Sequence, residues 1–320
     1  MGSATTTTTT TRAPRAGIVG WVLFDWSMQP FFTLVTTFVF APYFAAHLAR
    51  DAATGQAQWG YATAFAGLVI AVLSPVLGSI ADALGRHKPW VAAFGVLMMI
   101  GSSVLWLAAP GHPAAVALAL AGFVIGTIGA EFATVFNNAM MPRLVPREEL
   151  GRLSGTGWAV GYVGGLVSLV LVLGFLAADP ATGRTILGFT PLFGLDPATG
   201  AGARVTGPLS ALWFVVFALP MFFFTPDSRR GGRAAETIGT GLARLADTAR
   251  DLKAVPGLGR FLVANMVYTD GLVALFAFGG IYAAGVFGWS TVELGLFGIL
   301  LTITGLIGAW DGGGIDDRLG

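Results

Sequence analysis

The chain has 320 residues, 55% of them hydrophobic and only 11% charged, with a net charge of +1 and no cysteine. A soluble domain carries about a quarter charged residues, so this chain lacks the charge to coat a water-facing surface, and its near-neutral balance gives no reason to expect nucleic acid as a partner. The missing cysteines exclude disulfides and thiolate metal sites. His47, His87 and His112 are too few and too scattered for a metal centre, so no cofactor is expected.

Residues 1–16 hold a threonine run, Thr5–Thr11, followed by Arg12 and Arg15, and are expected to form a disordered cytoplasmic tail. The apolar segment that follows is far longer than the ~7–15 residues of a signal peptide's apolar region and has no clear cleavage site, so it reads as a retained first span. About 20 apolar residues cross a bilayer as a helix. Eight segments qualify: 17–48, 59–83, 89–109, 114–141, 153–178, 207–225, 261–287 and 291–310. The fold class expected is therefore an all-α polytopic membrane protein. Pro30 and Pro42 predict a tilt or kink in the first span. Pro110-Gly-His-Pro113 suits a tight turn before the fourth. The segment 227–260 is polar and basic and reads as a cytoplasmic linker with Leu242, Leu245 and Leu252 on one side of a helix. The long loop from Asp179 to Gly207 is expected to form a small outer cap.

Arginine and lysine set the orientation. With the N-terminus inside, the inner segments carry Arg12, Arg15, Arg86, Lys88, Arg143, Arg147, Arg152, Arg229, Arg230, Arg233, Arg244, Arg250, Lys253, Arg260 and Arg318, against Arg50, Arg184 and Arg204 outside. Both ends of the chain are then cytoplasmic. Lys88 and Lys253 are the only lysines, and this arginine bias, with abundant Ala and Gly, suggests a GC-rich bacterial genome and a bacterial cytoplasmic membrane.

Acidic groups inside a span cost about 2.5–3.5 kcal/mol at the helix centre and default to functional candidates. Three qualify: Asp25, Glu131 and Asp270. At 1.5 Å rise per residue they lie ~12, ~16 and ~14 Å from the cytoplasmic side, a common level near the midplane. Asp25, Gln29, Thr33 and Thr36 follow one helical stripe, and Glu131, Thr134 and Asn138 another. Asn265 and Thr269 sit four apart, with Tyr268 and Asp270 flanking Thr269. Such stripes should face a water-filled cavity, because lipid cannot satisfy them. One of the three carboxyls is expected to carry a coupling proton or bind a substrate cation; the bland alternative is a structural bond to a neighbouring helix. Gly157, Gly161 and Gly165, each four apart, read as a close-packing stripe. Trp59, Trp90 and Trp289 read as interface anchors. Gly161-Tyr-Val-Gly-Gly165 is not a nucleotide loop, since it lacks the following Lys-Ser/Thr.

Gly78-Ser-Ile-Ala-Asp82-Ala-Leu-Gly85-Arg86 follows the second span, and an eroded copy occupies Gly312–Gly320, with Asp317 matching Asp82. This pair resembles the loop motif of the major facilitator superfamily. Trp21-Val-Leu-Phe-Asp25-Trp26, Phe40-Ala-Pro-Tyr-Phe44, Asn137-Asn-Ala-Met-Met-Pro-Arg-Leu144, Gly151-Arg-Leu-Ser-Gly-Thr-Gly-Trp158-Ala-Val-Gly-Tyr162, Phe193-Gly-Leu-Asp196 and Tyr268-Thr-Asp270-Gly271 look like its vacuole-effluxer branch, from about Gly17 to Gly320. The resemblance implies a major facilitator fold whose two halves are parallel repeats with substrate between them. The halves would be a six-span bundle over 17–226 and, after the linker, two spans of a second bundle over 261–320. Full members have twelve spans, so the chain looks truncated after the eighth. The resemblance also implies gating by Gly78, Asp82, Gly85, Arg86 and Asp317, and amino acids as substrates, since fungal members are implicated in vacuolar amino-acid export.

The function expected is secondary active transport of a small solute by alternating access, coupled to a proton or ion, in a monomer embedded in lipid. Asp25, Gln29, Thr33, Thr36, Glu131, Thr134, Asn138, Asn265, Tyr268 and Asp270 would line the pathway. The rival readings are a transport-incompetent fragment or partner subunit, a channel and a membrane enzyme. The last would want a metal set or an exposed nucleophile, and no such set is evident.

Overall fold

The computed structural model describes residues 12–227, 256–289 and 291–319. Most of the expected tail and linker therefore lies outside the described residues. Among the described residues there are eight long helices: α1 Arg15–Pro30, α2 Ala52–Leu84, α3 Lys88–Val104, α4 Ala115–Asn138, α5 Leu150–Leu171, α6 Thr206–Phe224, α7 Leu258–Phe287 and α8 Thr291–Leu319. With their short extensions they supply eight stretches long and apolar enough to cross a membrane. Among the described residues the only strand-like pairing is an isolated bridge between Ala178 and Thr185 in the long loop, which otherwise holds short turns and the one-turn helix Ala201–Arg204. Arg204 pins that loop: its guanidinium donates to the Trp106 carbonyl at 2.8 Å and stacks over the Trp106 ring.

The first span is not one regular helix. Pro30 has no N–H to give, and the backbone widens at once into a π-helical stretch, Phe31–Phe38. A single turn, Phe40–Tyr43, and a second π-helical turn, Phe44–Leu48, complete the span. The Thr37 hydroxyl donates five residues back, to the Phe32 carbonyl at 3.0 Å, and Thr36 does the same to Phe31 at 3.4 Å. Irregular turns of this kind concentrate at functional sites.

Element boundaries differ from the expected ones where capping decides them. The second helix starts at Ala52, seven residues ahead of the expected 59, because Asp51 accepts the Thr54 N–H at 2.8 Å, as an N-cap should. That bond, reinforced by the Thr54 hydroxyl, holds the Asp51 carboxyl below the usual carboxylate range. Trp59 thereby falls two turns inside the helix. It is fully buried and stacks on Phe123 at 4.0 Å, so it is a core residue and not an interface anchor. At the other end Gly85 takes φ +66°, the left-handed stop that glycine allows without strain. Helix α8 runs nine residues past the expected 310, through Asp311-Gly-Gly-Gly314. The stretch packs on α5 through one of its glycines: a Cβ on Gly313 would stand 2.6 Å from the Gly151 carbonyl and 3.0 Å from Gly155 Cα.

Lipid offers no hydrophobic drive between helices, so small residues and close packing hold the bundle. Helix α1 lies between α5 and α6, α3 packs on α4 and α6, α2 on α4, and α8 along α5. The α3–α4 crossing is close: Gly101 meets the backbone of Gly122 and Gly126, and Gly129 meets that of Phe94 and Met98. The aromatic core, including Phe24, Phe31, Phe44, Phe123 and Phe132, fills the space between these helices. Helix α7 is held by its second half, where Gly280 approaches the Thr37 carbonyl and Ile281 and Ala283 are buried, while Leu258–Phe276 stands largely clear of other helices.

Candidate functional site

A cavity of about 420 Å³ opens between the first span, α2, α4, α5, α7 and α8, within the range of small-ligand sites. The first span contributes Asp25, Gln29, Thr33, Thr36 and Thr37 to its wall, and α4 contributes Thr127, Glu131, Thr134 and Asn138. Trp158, Gly161 and Tyr162 come from α5, Thr63 from α2 and Thr302 from α8. Phe32, Phe38, Phe123 and Phe276 supply apolar surface. Among the described residues no Lys, Arg or His lines the cavity. Among the described residues no cluster of three or more His, Asp or Glu is arranged to hold a metal.

Seating the polar stripe of α1 requires the glycines of α5. A Cβ on Gly157 would stand 2.5 Å from Asp25 Oδ2, and one on Gly161 would stand 3.3 Å from Asp25 Cβ. Gly165 faces Thr33 and Gln29 in the same way. The stripe therefore packs two helices and also makes room for a carboxyl between them. Neither the Asp25 nor the Glu131 carboxyl has a hydrogen-bond or ion-pair partner among the described residues. The other titratable side chain on the wall is Tyr162.

The α7 residues Asn265, Tyr268 and Asp270 do not join this wall. All three are exposed, and α7 presents Leu272, Val273 and Phe276 to the cavity instead. Asn265 shares the helical face of Leu272 and Phe276 but lies two turns and more ahead of them, on the half of α7 that stands clear of the other helices, whereas Asp270 points off that face. Asp270 therefore does not meet Asp25 and Glu131 at a shared site. Three wall residues had a readable signal that the stripe pattern passed over: Thr127 lies one turn before Glu131 on the same face, and Trp158 and Tyr162 flank Gly161 on α5.

The repeated motif divides in the same way. Gly78 faces open space, Gly85 stops α2, and Arg86 is exposed; the Asp82 side chain lies outside the described residues. In the second copy Asp317 accepts the Gly151 and Arg152 N–H groups, each at 2.8 Å, which caps the free donors at the start of α5 and complements its dipole. Asp227, just past α6, does the same for α3. It accepts the His87 N–H at 3.0 Å and the Lys88 N–H at 3.1 Å, and the Lys88 ammonium donates to the Phe222 carbonyl at 2.8 Å. Replacing Asp317 by alanine is expected to cost about 1–2 kcal/mol, read as a lower unfolding midpoint in detergent, while Asp311→Ala, at an exposed position on the same helix, leaves the midpoint in place.

Comparison with known proteins agrees with this architecture. The chain is 25% identical over 255 residues to an uncharacterized MFS-type transporter, YxiO, of Bacillus subtilis (strain 168), an alignment covering 79% of this chain and 56% of the relative. The chain thus spans little more than half the length of the curated relative it matches. Residues 56–313 match the family described as Vacuole effluxer Atg22 like, a stretch that runs from near the start of α2 into α8 and takes in most of the cavity wall; the chain belongs to that family.

Proposed function

We propose that the chain forms the translocation pathway of a secondary transporter of the major facilitator type. It moves a small solute by alternating access and couples the movement to a proton carried by Asp25. The observation that carries this reading is the cavity itself: two carboxyls with no partner among the described residues face it from helices long enough to cross a membrane. Intramembrane carboxyls of this kind mark ion and substrate pathways. The Bacillus relative is named an MFS-type transporter, which supports the same class. Amino acids enter as a substrate class only through the resemblance to the vacuole-effluxer branch. The excess of arginine around Arg86, Arg143 and Arg152 supports a cytoplasmic position for the loops before α3 and α5, in a bacterial cytoplasmic membrane.

A chain without cysteine allows a direct test. Thr36→Cys and Asn138→Cys, on the two polar stripes of the wall, are labelled in vesicles with a small membrane-permeant thiol reagent, which reaches the cavity from either side. Alternating access predicts that acidifying the medium raises one labelling rate as it lowers the other, by roughly fivefold or more for a coupling of ordinary size. A channel predicts that the two rates rise and fall together, and that result would remove the transporter reading.

A further inference from the structure

Resting on the reading of this cavity as the transport site, we infer that its solute is a protonated organic amine with an apolar body, and that Glu131 receives the ammonium group. The first argument is charge. Among the described residues the wall carries Asp25 and Glu131 and no basic side chain, so a cation entering it meets only negative or neutral groups there, whereas a solute carboxylate would meet two of its own sign.

The second argument is the arrangement of oxygens around Glu131. Hydroxyls in the long helices here generally bond back to the carbonyl four residues earlier, as Thr63 does to Trp59, Ser210 to Thr206 and Thr302 to Gly298. Such back-bonding is the ordinary fate of a helical Ser or Thr. Thr127 and Thr134 depart from it: both hydroxyl oxygens are buried without a protein partner among the described residues, and both lie on the cavity wall. They stand four residues before and three after Glu131, which puts the three side chains on one face of α4. An ammonium has three donors and no acceptor, and this face offers it one carboxylate and two free hydroxyl oxygens. Thr127 and Thr134 stand about 10 Å apart along the helix, so an ammonium held by Glu131 would satisfy the carboxylate and one of the two hydroxyls, as buried polar groups require.

The third argument is the rest of the wall. Trp158, Tyr162 and Phe276 provide ring faces that attract a cation and surface for an apolar body. Asp25 sits apart from this face, against Gly157 and Gly161 of α5, which leaves it for the proton.

The test is a charge series at constant shape. The purified chain in lipid nanodiscs is titrated by calorimetry with phenethylamine, phenylalanine and phenylpropionate, which are cation, zwitterion and anion on the same phenyl body. The expected order of affinity is cation, then zwitterion, then anion. Glu131→Gln is expected to weaken phenethylamine roughly tenfold or more, the size of a lost charged hydrogen bond, and Asp51→Asn, which removes a carboxylate in the loop before α2, is expected to leave it unchanged. Equal or tighter binding of phenylalanine or phenylpropionate overturns the inference, as does phenethylamine binding that ignores Glu131→Gln, or none to the folded wild-type chain. Because the charge series is run on the wild-type chain, it decides the matter even where the Gln variant fails to fold. The labelling experiment above separates the two readings. Labels that alternate with no preference for the amine overturn the substrate class alone, and amine binding without alternation overturns transport alone.

Discussion

Gly101→Ala is expected to destabilise the chain by about 3 kcal/mol, the upper part of the range for overpacking. The added Cβ would stand 2.6 Å from the Gly122 carbonyl and 2.7 Å from Gly126 Cα. Those are backbone atoms of α4, and no rotamer change removes them. The two helices must separate, and their whole contact loses dispersion energy that lipid does not replace. Gly67→Ala is the matched comparison, since a Cβ there meets nothing within 4 Å. It should be neutral or stabilising by up to about 1 kcal/mol through helix propensity. Unfolding midpoints in mixed micelles measure both. A Gly101 variant as stable as the wild type would mean that α3 and α4 do not cross at this point.

Asp25→Asn is expected to abolish the acid-driven shift in labelling of Thr36→Cys and Asn138→Cys while the chain stays folded. The carboxyl makes no hydrogen bond among the described residues, so the amide forfeits none, and its similar size fits the notch left by Gly157 and Gly161. The variant can no longer take up a proton. The titratable groups still facing the cavity are Glu131 and Tyr162, and neither sits against the glycine face that joins α1 to α5. The loss corresponds to about 1–3 kcal/mol of coupling between protonation and conformation. An Asn variant that keeps the full acid response would move the proton site away from Asp25.

The span count was legible from residues alone, because length and hydropathy are local properties and the bilayer imposes the same requirement on every helix. The motif at Gly78–Arg86 and the stripes on the first span and α4 were legible for a similar reason: helical periodicity places Asp25 with Gln29 and Glu131 with Thr134 wherever the helices stand. Boundaries moved where a cap intervened, as at Asp51, and at the end of α8, whose Gly313 packs on α5.

Which stripes meet was a different matter. The rotation of a helix about its axis is chosen by its neighbours, and apolar side chains around the whole circumference leave lipid indifferent to that rotation. Helix α7 illustrates this. Asp270 has the right residue type at the right depth, yet it points off the face that α7 presents to the cavity. The same holds for Trp59, drawn into the core by Phe123, and for Asp317, whose bonds to the start of α5 join residues 166 and 165 positions apart. By itself the sequence determined eight membrane spans within the residues given, with an acid placed inside three of them. Only the packing of helix on helix decided that two of those acids face one cavity, because that choice depends on contacts between residues far apart in the chain.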